Sequence, residues 1–161
     1  MSSQSGHKRL ITTPGWTRAR DEERHGARMV GYVVAIVVNL ILIAVARSIP
    51  SWGLSFVTPA FDEVLPAIER SLIAAVVVNA ILCAYDAAWF RHLAQVVMNA
   101  FALNATLALA RVYPFDFGSP GRNDVAHLLI VLVCVAVVIA IFAEAVQMLL
   151  ALAGRQPEFD E

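Results

Sequence analysis

Charge is scarce in this sequence. Only 16% of its 161 residues are Asp, Glu, Lys or Arg, against about a quarter in a water-soluble domain. Lysine is nearly missing, with Lys8 alone beside eleven arginines, and alanine is abundant. That bias is the mark of a high-GC bacterial genome. Cysteine is limited to Cys83 and Cys134, both inside apolar tracts and without CxxC spacing. A disulfide framework and a thiolate metal site are therefore not expected, and both thiols read as small packing residues. A net charge of −1 and the lack of a basic stripe beyond the first segment argue against a nucleic-acid partner. There is no GxSxG, no HExxH and no glycine-rich phosphate loop, and His7, His25, His92 and His127 are scattered. No catalytic residue, metal ligand set or cofactor is assigned, and enzymatic chemistry is not expected.

Long apolar runs are what the chain does have, giving a mean hydropathy of +0.68. A bilayer core of ~30 Å needs about 20 mostly apolar residues in a helix, and four stretches meet that need. They are 29–46, 65–85, 87–112 and 125–154, and none alternates as a β-barrel strand would. The expected fold is all-α: a polytopic membrane protein with an antiparallel bundle of four transmembrane helices. A charged leader, 1–28, holds a juxtamembrane helix from about Pro14 to Arg28, and 155–161 is a short acidic tail. A basic leader followed by an apolar run and Ala44-Val45-Ala46 also has the outline of a signal peptide. The leader and the run are both too long for that, so the segment reads as a true span.

Positive charge orients the spans. Lys8, Arg9, Arg18, Arg20, Arg24 and Arg28 hold the leader in the cytoplasm, and four spans return the C-terminus there. Arg91 and Arg155 fall on the same side, whereas Arg47, Arg70, Arg111 and Arg122 fall on or near the outer side. The expected location is a bacterial plasma membrane with both termini cytoplasmic. Only Tyr85-Asp86-Ala87 joins the second and third spans. Asp86 is expected to cap the third helix, and Tyr85, Trp89 and Phe90 to anchor this hairpin at the headgroups. On the outer side, Thr58-Pro59 has the form of a helix start, suggesting a short interfacial helix leading into the second span.

Glu144 raises the functional question, because it is a carboxylate in an apolar tract. Each span sets a polar side chain in a stripe of small ones: Gly31, Ala35 and Asn39; Ala75, Asn79 and Cys83; Ala100, Asn104 and Ala108; Ala136, Ala140 and Glu144. Such stripes suit helix contacts in lipid. His92, Gln95 and Asn99 form an i, i+3, i+7 row on the third span. The expectation is an intramembrane polar layer of Glu144, Asn39, Asn79, Asn99, Gln95 and His92, with Glu144 bonded to an asparagine of another helix. Its plainer role is to fix helix register, and its sharper role is a proton or cation site. At the outer side, Arg47, Arg70 and Arg111 read as snorkelling and topogenic charges, with a shared anion site as the alternative.

The fragments TPGWTRARDEERHGAR, from Thr13 to Arg28, and YPFDFG, from Tyr113 to Gly118, resemble small uncharacterised four-span integral membrane proteins of high-GC actinobacteria. The resemblance implies the topology and a plasma-membrane location, and no activity. The expected function is an accessory or interaction subunit that contacts the bilayer; the plainer role of its leader is a topogenic anchor, and the sharper one is docking of a membrane or cytoplasmic protein through 14–28. The alternative is a homo-oligomeric channel or transporter.

Overall fold

The computed structural model describes residues 15–154, with side chains described from Glu23 onward except Arg24. The expected start of the juxtamembrane helix at Pro14 and the acidic tail, 155–161, lie outside the described residues.

Four helices carry the fold: α1 (Gly15–Ser48), α2 (Phe61–Ala84), α3 (Ala88–Val112) and α4 (Pro120–Leu152). All four are long and apolar enough to cross a membrane. The chain is an all-α, multi-pass membrane protein, and no strand occurs among the described residues beyond a single bridge, Val57 to Phe115.

Hydropathy alone misplaces several helix ends, because backbone hydrogen bonding continues past the apolar run. The leader helix and the first span are one element of 34 residues, about 50 Å long at 1.5 Å per residue. The short helix expected before the second span is likewise fused with it. Phe61, Asp62 and Glu63 donate to Thr58, Pro59 and Ala60, and α2 runs on through Pro66. Pro66 lacks an N–H, which frees one carbonyl a turn earlier, near the helix start where carbonyls can be solvated. α4 begins at Pro120, a proline in the first turn where its missing donor costs least.

The helices pack in chain order: α1 on α2, α2 on α3 and α3 on α4, with no comparable contact between α1 and α4. The bundle is thus open along one side. The most apolar stretches of α1 and α4 are each 6% buried, against 17% in α2 and 11% in α3, as edge and central positions require. Close approach uses small residues: Ala46, Ala67, Ala94 and Ala105 are buried. On α4 the half-buried or buried positions Ile130, Cys134, Val137, Ile141, Glu144 and Met148 recur at alternating steps of four and three. That is the seam of a left-handed helix pair.

Two long connections close one end, here termed the cap face. Thr58 donates to Pro114 O and Asp116 to Phe56 O, and Phe56 stacks on Phe117 at 5.6 Å. Val64 and Pro114 are fully buried beneath them. Hydrogen bonds from the Gly118 N–H and from Asn123 hold the Asp116 carboxyl below its usual range. The opposite end, the turn face, carries Tyr85-Asp86-Ala87, where Tyr85, Trp89 and Phe90 form an edge-to-face cluster at 5.1–6.3 Å.

Ala94→Phe should therefore lower stability by about 1–3 kcal/mol through overpacking. Ile139→Phe, on the open face of α4, should leave it unchanged. Unfolding in mixed micelles followed by circular dichroism reads both.

Candidate functional site

Asp86 gathers more partners than any other side chain described. The turn residues on either side of it are extended, with Tyr85 at φ −143° and Ala87 at φ −76°, which pushes Asp86 toward α1. There His25, Arg28 and Tyr32 follow at i, i+3 and i+7, on one face of the helix. Arg28 Nε donates to Oδ2 at 2.8 Å and Tyr32 OH to Oδ1 at 2.7 Å. Arg91 Nη1 donates to Oδ1 at 3.2 Å and to the Asp86 carbonyl at 3.1 Å. His25 Nδ1 lies 3.5 Å away. The carboxylate is only 5% exposed. Burial works to raise its pKa, but the hydrogen bonds from Tyr32, Arg28 and Arg91 outweigh it and hold the group at about 2.

This corrects the expected capping role. The residue at the N-cap of α3 is Ala87, and no side chain caps the helix. A carboxylate surrounded by two guanidinium groups gains more from charged hydrogen bonds than from a helix end. A sequence signal was available: a lone acid in the shortest turn, opposite a helical row of His25, Arg28 and Tyr32.

The intramembrane polar residues do not join into one layer. Asn39 donates to Ala35 O and Asn79 to Ala75 O, each at 2.7 Å within its own helix. Asn79 also approaches Met98 Sδ on α3 at 3.5 Å. Gln95 reaches Asn99 at 3.5 Å, again along one helix. A short amide four residues from a carbonyl satisfies itself locally, without waiting for a neighbour. The exception is Glu144, whose Oε2 lies 2.7 Å from His92 Nδ1 on α3. Its partner is a histidine, and the expected asparagine bond is absent. His92 and Glu144 are 25% and 27% exposed, so the pair is half-buried.

The small-residue stripes are only partly inward. Asn79 is buried, with Ala75 and Cys83 half-buried beside it. Gly31, Ala100, Asn104 and Ala136 are exposed, and a methyl group added at Gly31 would meet nothing within 4 Å. The alanine-rich composition generates such spacings on outer faces too. Cys83 and Cys134 are free thiols, half-buried and buried.

At the cap face the outer charges do not converge. Arg47 Nε donates to Glu69 at 2.6 Å, and Arg70 Nε to Pro66 O at 3.0 Å. Arg111 stands exposed at the end of α3. His127 Nε2 lies 3.1 Å from Ala110 O, and Tyr113 OH donates to Asn123 O at 2.7 Å. These contacts close the α3–α4 connection. Among the described residues, no group of three or more His, Cys, Asp or Glu is arranged to hold a metal ion.

No protein-family model, curated protein or solved structure matches the chain.

A carboxyl held below its ordinary pKa stabilises the fold while it is ionised. The contribution of Asp86, up to about 2 kcal/mol, is therefore complete above about pH 4 and is lost as pH falls toward 2. Asp86→Asn should remove that acid sensitivity and lower stability at pH 7, as read by unfolding at a series of pH values. For the deeper pair, Glu144→Leu should cost about 0.6–1.7 kcal/mol, as hydrogen bonds within bilayers do. Glu144→Gln, which retains a polar partner for His92, should cost less in the same assay.

Proposed function

We propose that this protein is a non-catalytic accessory subunit of a bacterial plasma membrane, docking on a partner through its edge helices and the projecting turns of α1. The observation that carries this reading is the open packing order. Among the described residues, α1 and α4 each pack one flank on a neighbouring helix and leave most of the rest exposed. Val34 and Ile41 on α1, and Leu132, Ile139 and Phe142 on α4, are all exposed. α1 also exceeds the ~30 Å core by about 20 Å. Pinned by Asp86, it stands as a rigid extension, and with both termini cytoplasmic that extension meets soluble partners.

A second reading has its own support. The His92–Glu144 contact joins two titratable side chains across helices about 6 and 12 Å from the turn-face ends of α3 and α4. That suits a proton or cation site in a homo-oligomeric channel. It is the less favoured reading, because Asn39, Asn79 and Asn99 turn to their own helices and extend no polar path from the pair.

A photo-crosslinking residue placed at Ile139 should give adducts with a different membrane protein, while the same residue at the buried Leu82 gives none. Adducts of twice the chain mass, together with Glu144-dependent proton or cation flux into liposomes, would replace the accessory reading with the channel.

A further inference from the structure

A shallow groove on the flank of α2 and α3 is lined by Arg70, Ala100, Phe101 and Asn104, with a volume of about 230 Å³. It opens sideways, toward where acyl chains would lie, and its two polar groups stand at different depths. Arg70 follows Glu69, which meets Arg47 one residue before the end of α1. Arg70 lies nine residues into α2, and its Nε turns back one helical turn to Pro66 O, so the guanidinium reaches toward the cap face. Asn104 lies eight residues short of the end of α3, about 12 Å inward.

Neither group is fully partnered among the described residues. Glu69 is committed to Arg47, which leaves the Arg70 charge uncompensated. Arg70 Nε is tethered to Pro66 O, which fixes the direction of the fork, and its two Nη nitrogens have no partner among the described residues. Asn39 and Asn79 bond within their own helices, and Asn99 meets Gln95. Asn104 makes no hydrogen bond to any described residue and is exposed. An unpaired cation and an unpaired amide beside hydrocarbon are both costly.

From this geometry we propose that the groove binds an anionic phospholipid. The phosphate takes the two free arms of the Arg70 fork, which matches planar bidentate recognition of an oxyanion. The Asn104 amide donates to an ester carbonyl lying deeper, and an acyl chain runs over Ala100 beside Phe101. A second copy of the chain is the poorer occupant. A two-fold contact places the same patch on both sides, so two arginines would face each other without an anion.

Native mass spectrometry of the detergent-solubilised full chain, titrated with phosphatidylglycerol or phosphatidylcholine, tests this. The unaltered protein should bind phosphatidylglycerol about tenfold more tightly than phosphatidylcholine, and Arg70→Ala should remove that preference. Arg70→Lys, keeping charge without the fork, should fall between them and serves if the alanine variant fails to fold. Asn104→Leu should weaken both lipids, Arg111→Ala neither, and inorganic phosphate should not displace the bound lipid. Undiminished binding by Arg70→Ala would overturn the proposal. So would equal loss in Arg111→Ala, displacement by phosphate alone, or a dimer that Asn104→Leu dissolves.

Discussion

In hydrocarbon a leucine gains nothing by leaving lipid for another leucine, so helices in a bilayer need reasons other than water to stay together. Here the reasons are short connections and polar ties. α1 is clipped at both ends, by Asp86 at the turn face and by Arg47–Glu69 at the cap face. α3 and α4 are held by His92–Glu144 at one depth and by Tyr113–Asn123 at the other. Between these ties, alanines allow close approach, and many of the large side chains on α1 and α4 are exposed.

Those ties differ in strength because their surroundings differ. Asp86 sits out of water but within reach of two cations and a phenol, so nearly all its lone pairs are used. Arg47 and Glu69 are more open, and exposed pairs contribute little on their own. Their value lies in setting register. Once the turn of Tyr85-Asp86-Ala87 fixes α2 against α3, a slip of α1 along α2 would break contacts at both ends at once.

Hydropathy makes the four spans legible, since backbone in lipid is satisfied only by helices or closed barrels, and none of the four stretches alternates as a barrel strand would. It could not reveal the helix ends, which depend on where backbone bonds stop rather than where apolar residues do; the fusion of leader and first span into α1 is the clearest case. Glu144 meets a partner 52 residues away in sequence, a distance that spacing within one helix does not encode. The asparagines misled for a different reason. Asn39 and Asn79 each reach a carbonyl one turn back, so a stripe of small and polar residues need not join neighbours. Asp86 was noticed for its position in a turn, while the row it serves on α1 lay hidden among leader charges whose common role is topogenic.

An unbroken α1 has a mechanical consequence. With no hinge between the projecting turns and the span, the rod has a fixed azimuth, because His25, Arg28 and Tyr32 must all look toward one carboxylate. One inserted residue above that point would swing everything beyond it by about 100° and lift it by 1.5 Å. The azimuth of the far end therefore follows how the membrane end is seated.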